Sequence, residues 1–366
     1  MKIFIVRGAF LNPFELQNYS PLKEKFDITA ISSKHPISDK IDLPLIKLWS
    51  PTDIPNIPFK YPILNRLFTD AHQLLGLRNK IKGADLVHVA ETYYGYTNQA
   101  VMAKRRGLIR KIVSTVWETI PGNNEGIKGR KEYKRMAREN IDHFIAVTER
   151  AKRALMKEGV KEDKITVINA GIDIKRFKPM SGQKTKRDLN ILCVARLVPE
   201  KGVEDLLKAF LEIYVNNKNI HLTFIGNGSL KHDLKGFKNV HIKQSPYGKI
   251  HREYHHADIF CLPSRSEKEW EEQFGTVLTE AMASGLPIVT TTSGGIPEVC
   301  GDVAVYAKPA NYQDLKTSLE KLIYNKNLRL AMGKRSREMA VAKYDREKIS
   351  KKIEGLYNKL CLSKKV

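Results

Sequence analysis

The chain lacks any run of roughly 18 apolar residues, the length a helix needs to cross a bilayer, so no segment reads as a membrane span. Its four cysteines, Cys193, Cys261, Cys300 and Cys361, form no Cys-x-x-Cys pair. That usage argues against a disulfide framework and fits a reducing compartment. Cys193 and Cys261 lie in strand-like apolar runs and read as buried thiols. Ten histidines, His255-His256 among them, make no His-Glu-x-x-His motif and no zinc spacing. They read as surface or packing residues. No Asp-x-Asp occurs, although a metal-bridged diphosphate calls for closely spaced carboxylates. No metal site is therefore expected. There is no RNP-like aromatic box, so nucleic acid is not expected as a partner. Internal repeats and low-complexity tracts are absent as well.

Negative charge is also scarce. Forty Asp and Glu stand against 63 Lys and Arg, a net charge of +23. The excess is spread over both halves, so no basic tail explains it. It is densest at Lys104-Arg105-Arg106, at Arg110-Lys111, and in the helical stretch from Lys128 to Arg138. Such a surface would draw a polyanion or an anionic membrane. A solvated basic surface without a specific partner explains it equally well.

At 366 residues the chain exceeds one compact core, and two domains are the natural expectation. The opening Met1-Lys2-Ile3-Phe4-Ile5-Val6 breaks at Arg7-Gly8 and reads as a buried first strand rather than a leader. Short apolar runs then alternate with helical patterns, the signal of parallel α/β layers. Strands are expected at 2–6, 27–31, 85–90, 111–116, 143–147 and 165–168 in the first half. In the second they are expected at 190–195, 220–225, 240–243, 258–262, 287–291 and 303–306. Continuous runs such as Ile191 to Ala195 suit strands covered on both faces. Two such sheets are two Rossmann-like domains, whose ligands sit at the carboxyl ends of the strands. The polar segment Lys178 to Arg187 marks the linker, giving domains at 1–178 and 179–345. A long basic amphipathic helix is expected from about 312 to 360, and its last part, 346–366, could cross back to the first domain.

The most informative stretch runs from Glu272-Gln273-Phe274-Gly275-Thr276 to Glu280 and on to Gly285-Leu286-Pro287. It sets two carboxylates around a Phe-Gly turn. Glu280 rides on a short helix that Gly285 and Pro287 stop, and Glu272 precedes its first turn. Free backbone N–H groups near Gly275 and Thr276 make an anion site. Two hydroxyl acceptors beside a phosphate cradle would suit a sugar nucleotide. Arg196 directly follows a strand, and Lys201-Gly202 opens the next helix. Two cations and a helix N-terminus suit a diphosphate leaving group. A basic loop that only pairs with Glu200 or Glu204 is the alternative. Ile225-Gly226-Asn227-Gly228 and Ser293-Gly294-Gly295 end other strands, as backbone-rich ligand loops or as ordinary turns. At the first strand, Gly8 precedes Asn12-Pro13-Phe14-Glu15, an N-cap Asn, a Pro and a Glu in helix-start order.

Together these motifs resemble the GT-B fold retaining glycosyltransferases of family 4, the glycosyl transferases group 1. Further residues carry the likeness: Ala257 to Ser264, Gly294-Gly295-Ile296-Pro297-Glu298, Val147-Thr148-Glu149, and Asn169-Ala170-Gly171-Ile172-Asp173 with Phe177. The resemblance implies two Rossmann-like domains closing over a donor cleft, and transfer of a hexosyl-type sugar from a nucleotide-diphosphate sugar. Arg196 and Lys201 would hold the diphosphate, and Glu280 the ribose hydroxyls. Glu272 would bind the transferred sugar, with the backbone at Phe274, Gly275 and Thr276 touching sugar and phosphate. Gly8 and Gly226 would lie near the donor, and the base would stack near Ser245 to Lys249. Arg196, Lys201 and Glu272 thus become the expected catalytic residues. No cofactor is implied. The favoured mechanism is same-face attack in which the leaving phosphate takes the acceptor proton and the cations stabilise the charge. Neither hydrolysis by paired carboxylates nor a covalent intermediate is called for.

Three departures stand out, the first being that the loop after the first strand lacks the double glycine many relatives have. Trp117 occupies the place where many relatives carry a His that touches the donor sugar; Trp117 could stack on a sugar and Glu118 hydrogen-bond it. The stretch Ser266 to Glu271 is longer and more acidic than usual, a lid or a solvated loop. The acceptor is expected on the N-terminal domain, as a glycan, a lipid-linked carrier or a small molecule. The basic helix from Lys128 to Arg138 suggests a phosphate-bearing or membrane-borne one. A cytoplasmic location follows, with peripheral association at the inner face of the membrane. The competing reading is a catalytically silent nucleotide-sugar-binding or polyanion-binding scaffold.

Overall fold

In the computed structural model, which describes residues 1–180 and 188–362, the chain forms two compact units. Unit 1 comprises Met1–Gly171 with Arg346–Val366, and unit 2 comprises Ile172–Asp345. The passage between units thus falls ahead of the expected 178, since Ile172 already pairs with Asp345. The expected linker over 181–187 lies outside the described residues.

Unit 1 holds seven parallel strands: β1 (Lys2–Gly8), β2 (Asp27–Ser33), β3 (Leu45–Leu48), β4 (Leu86–Ala90), β5 (Lys111–Val116), β6 (His143–Ala146) and β7 (Ile165–Val167). Their spatial order is β3-β2-β1-β4-β5-β6-β7. Ile3 and Ile5 of β1 enter one core cluster, and Phe4 and Val6 enter another. Successive side chains leave opposite faces of a strand, so a continuous apolar run means burial on both. The one strand not expected from sequence is β3. It lies at the sheet edge, partly exposed, with Lys47 in it and Pro44 before it, so it carries no alternation to read.

Unit 2 holds six parallel strands: β8 (Leu189–Val194), β9 (Ile220–Ile225), β10 (Val240–Lys243), β11 (Ile259–Leu262), β12 (Ile288–Thr291) and β13 (Ala304–Ala307). Their order is β10-β9-β8-β11-β12-β13. Each sheet reverses its winding at its first strand, β1 in one and β8 in the other. Such a switch point opens a crevice at the carboxyl ends of the strands. Helix Val203–Asn216 shows why the local sequence folds this way. Val203, Leu206, Leu207, Phe210 and Ile213 recur at helical spacing, are buried, and pack on Ile191 and Cys193 of β8.

The expected long terminal helix is three helices, Tyr312–Ile323, Lys326–Lys343 and Arg346–Leu362. Asn311 and Asn325 cap the first two by accepting from the backbone N–H of Asp314 and Leu328. Charge density along 312–360 hides these breaks, because a cap is one residue in a stretch of otherwise similar composition. The last helix belongs to unit 1, where Ile349, Ile353, Leu356 and Tyr357 join Ile3, Ile5 and Ile28. Residues 363–366 lie outside the described residues.

Candidate active site

The loop after β11 carries the first carboxylate. Ser264 is fully buried, and its hydroxyl donates to Glu272 Oε2 at 2.7 Å. Lys201 Nζ donates to the same oxygen at 2.6 Å. Lys201 ends the turn Pro199–Lys201, just before helix Val203–Asn216, so its ammonium stands at the carboxyl end of β8. Its Nζ also lies 4.8 Å from the centre of the Trp270 ring. Glu272 Oε1 has no hydrogen-bond partner among the described residues and is a free acceptor. The backbone around Glu272 is fixed from the next loop. Gly295 N–H donates to Glu272 O at 2.8 Å, and a Cβ on Gly294 would stand 2.1 Å from that carbonyl.

The tip Ser266 to Glu269 of the acidic stretch is solvent-exposed, and Trp270 returns to cover Lys201. At the base of that tip Arg265 grips Asp205 with two bonds of 2.8 and 2.9 Å. Gly275, at φ +74°, starts helix Thr276–Ala283 without a side-chain cap. The first amides of a helix have no intrahelical acceptor, and no side chain caps them at this end. The Phe274 ring itself is buried, edge-on to Tyr344 at 5.9 Å, which leaves only its backbone for the site.

On the same helix Glu280 is almost fully buried, and Tyr254 Oη donates to its Oε2 at 2.6 Å. Burial pushes its carboxyl up to about 7, while bonds from Tyr254 and Tyr247 and the charge of Arg176 pull it down. The Arg176 guanidinium lies 4.3 Å from the Tyr247 ring and 4.6 Å from the Phe177 ring. Its Nε and Nη2 are buried without hydrogen-bond partners among the described residues. Arg176 and Tyr254 are the residues sequence reasoning missed here. Phe177 stands out in the sequence, but nothing local shows that its neighbour stacks beside a carboxylate a hundred residues away. Tyr247 falls within the 245–249 stretch where a base is expected.

Arg196 is largely exposed, and its Nη2 donates to Glu200 Oε1 at 2.9 Å. The loop pairing anticipated as the alternative is therefore present, yet it holds only one of the two cations. Gly226 has its own reason to be glycine: a Cβ there would stand 1.9 Å from Ala195 O. The demand comes from the protein backbone, where Leu197 N–H donates to Asn227 O at 2.9 Å.

Gly8, Trp117 and Glu118 belong to unit 1, at the carboxyl ends of β1 and β5. Gly8 has φ +55° and sits against the Tyr96 ring. The helix after it is only Pro13–Leu16, capped by Asn12. Glu15 does not close a capping box; its carboxylate pairs with buried Arg7 at 2.7 Å. Glu118 is engaged by its own loop, accepting from Thr119 N, Ile120 N and Asn123 Nδ2 at 2.9–3.0 Å. Trp117 lines a pocket with Tyr19, Thr115 and Asn169. Beside it is a carboxylate that the sequence reading did not single out, Glu91. Glu91 follows β4 at φ +56°, and its Oε1 accepts from Trp117 N at 2.7 Å. Its Oε2 is buried without a partner, and burial with the nearby Glu118 charge pushes the carboxyl up to about 8. A charged residue directly after a buried strand at the carboxyl edge of the sheet is a signal that could have found it.

The basic stretch from Lys128 to Arg138 loses most of its free charge in the fold. Arg130 pairs with buried Asp70 at 2.7 Å and Lys134 with Glu158 at 2.6 Å, while Arg135 bridges Glu132 and Glu139. Among the described residues no three His, Cys, Asp or Glu side chains could hold a metal together. No helix there is long and apolar enough to cross a membrane.

Residues 24–176 match the model of glycosyltransferase family 4, and 174–339 that of glycosyl transferases group 1. The chain is 30% identical over 291 residues to the uncharacterized glycosyltransferase MJ1178 of Methanocaldococcus jannaschii, covering 76% of each protein. The chain belongs to the family 4, group 1 glycosyltransferases. This glycosyltransferase is also 29% identical over 212 residues to the sulfoquinovosyl transferase SQD2 of Arabidopsis thaliana, over 53% of its own length and 39% of that protein. Among solved structures, HepE of Anabaena in complex with UDP-glucose aligns with a TM-score of 0.75 at 16% identity, covering 97% and 99% of the two chains. That likeness, with the two parallel sheets, shows the GT-B fold.

Proposed function

We propose that this glycosyltransferase moves a sugar from a nucleotide-diphosphate sugar to an acceptor hydroxyl with retention of configuration, and without a metal ion. The observation that carries the reading is the Lys201–Glu272 pair beside the uncapped helix start at Gly275. An ammonium has three donors. One is held by Glu272, which leaves two for phosphate oxygens beside the helix start. Both then stabilise charge as the sugar–phosphate bond breaks. Arg196 would close on the same diphosphate by exchanging Glu200 for it. Glu272 Oε1 would accept a sugar hydroxyl, and Glu280 the ribose hydroxyls, with Tyr247 beside the base. The UDP-glucose bound to the Anabaena protein supports a donor of this class. In the same-face mechanism the leaving phosphate oxygen takes the acceptor proton, so no protein nucleophile is called for. Trp117 in its pocket would pack against a sugar from unit 1. The acceptor is read as a glycan or a lipid-linked carrier, met at the cytoplasmic face of a membrane.

The test is a panel of UDP-, GDP- and ADP-sugars, scored for thermal stabilisation and for transfer in the presence of a chelator. A donor that raises the melting temperature and turns over supports the reading. Stabilisation without turnover to any acceptor or water would mark a binding protein instead. No shift with any donor at millimolar concentration would remove the donor site.

A further inference from the structure

We propose that the segment from Ile57 to Phe68 is a membrane-interface element that seats unit 1 on an anionic lipid surface. The proposal rests on the membrane side of the acceptor reading and gives that side a location. The helix Lys60–Phe68 buries only Lys60 and Leu64, one turn apart, so it is held by a single edge. Phe59, Ile63 and Leu67 recur every fourth residue, which puts them in one stripe. They are 78%, 47% and 71% exposed. Ile57, Tyr61 and Phe68 extend the apolar surface. Scattered apolar residues on a surface are ordinary, but a contiguous set within twelve positions of chain marks an interaction site.

The charge around it selects the occupant. Between Asp53 and Asp85 the only acidic residue is Asp70, which is buried and paired with Arg130. Arg66, Arg78, Lys80 and Lys82 are exposed, and none makes an ion pair among the described residues. The helix Arg130–Asn140, richer in cations, is by contrast largely neutralised by its own partners. Arg66 lies on the helix itself and Arg78, Lys80 and Lys82 follow it closely in the chain, and free cations with exposed Phe, Tyr, Ile and Leu fit lipid head groups over acyl chains. A protein-binding patch would be depleted of lysine.

The backbone adds a second, independent mark. Phe59 at φ +55° and Thr69 at φ +63° bracket the helix in the left-handed region, which residues with side chains rarely adopt. Lys60 Nζ donates to Thr52 O at 2.8 Å and Ala71 N–H to Asn65 Oδ1 at 3.1 Å, pinning the helix at both ends. A strained turn that presents a phenyl ring to water has a use when the ring is to enter another phase.

The experiment is co-sedimentation of the full chain with phosphatidylcholine vesicles, with and without phosphatidylglycerol. Wild type is expected on the anionic vesicles and not on the neutral ones. Phe59→Ser with Leu67→Ser should lower the bound fraction about tenfold, since each large apolar group removed weakens insertion. Arg66→Glu with Lys80→Glu should do the same and leave what binding persists insensitive to salt. Leu330→Ser, an exposed leucine of unit 2, should change nothing. Melting temperature and donor-induced stabilisation are measured on every variant, so loss of the donor site reads separately from loss of membrane binding. Phe59→Trp gives a readout that needs no destabilising change: its emission should shift to the blue on anionic vesicles. Unaltered vesicle binding by the serine pair, no blue shift, or a wild-type dimer that the serine pair makes monomeric without any vesicle binding would each overturn the proposal.

Discussion

The two sheets share a strand order, and their carboxyl ends both hold buried acids but differ in what fixes their loops. In unit 2 two of the loops press backbone on backbone, and the cations Arg196 and Lys201 stand in the loop after β8. Gly226 lies against Ala195 O and Gly294 against Glu272 O, so each loop accepts one residue type. In unit 1 the edge is made of the buried acids Glu91 and Glu118, the buried Tyr96 ring and the half-buried rings of Tyr93 and Tyr94. At this edge Gly8 meets a side chain, the Tyr96 ring at 3.1 Å, and elsewhere in the unit Gly83, Gly107 and Gly159 have open space where a Cβ would go. The difference explains why the sequence speaks clearly for one unit and softly for the other. Backbone contact forbids every residue but glycine, whereas a buried acid or ring can be replaced by several others with local repacking.

The comparison can be broken first at its strongest point. Lys201→Ala should lower transfer by about a thousandfold, in line with loss of a preorganised cation at the leaving group. Lys208→Ala, an exposed cation on the next helix, should leave the rate unchanged. A loss of less than about threefold at Lys201 would mean that the cation serves only to neutralise Glu272. Next in size is the backbone itself. Gly226→Ala should cost about 3 kcal/mol in urea unfolding, because the nearest atom is a carbonyl rather than a flexible side-chain end. Gly107→Ala, with φ +71° but open space, should cost only about 1 kcal/mol. Equal costs would dissolve the contrast between the units.

Glu280 gives a prediction in pH. Its folded value of about 7 lies above the ordinary 4.5, so the folded state holds the proton longer than the unfolded one. Its contribution to stability is therefore present below the ordinary value and is lost as pH rises toward 7. Glu280→Gln should flatten that fall in melting temperature. The same variant should weaken donor binding about tenfold at pH 8, where the wild-type carboxylate is charged and accepts hydroxyls best. The smallest effect belongs to unit 1. Glu91→Gln removes a carboxyl pushed up to about 8 by burial, and above that pH it should stabilise the fold by about 1 kcal/mol, read as a raised melting temperature. A clear loss of stability there would show that the ionised form has a partner in the folded state.

Among the described residues there are thirteen strands where twelve were expected, and the additional one is instructive. Leu45–Leu48 has one neighbour and a partly wet surface, and four residues around one lysine are too few to show a period. The run from 312 to 360 misled in the opposite sense, since uniform charge concealed two interruptions, one of them an Asn cap. The basic stretch from Lys128 to Arg138 misled because charge is counted in sequence but neutralised in space. Glu158 and Asp70, which bind its cations, come from other elements.

The alternation of strands with helices, the burial of both sheet faces and the presence of glycine turns after the strands of unit 2 were determined by sequence alone. Each follows from neighbours along the chain, through side-chain alternation and the residue types a tight turn admits. Tertiary structure decided which charges are free. It joined Lys201 to Glu272, placed Arg176 beside Tyr247 near Glu280, spent most cations of the helix Arg130–Asn140 and left Arg66 of the helix Lys60–Phe68 uncompensated among the described residues. A hydrogen bond or ion pair needs two groups within about 3 Å, and which groups meet at that range is set by how distant segments pack.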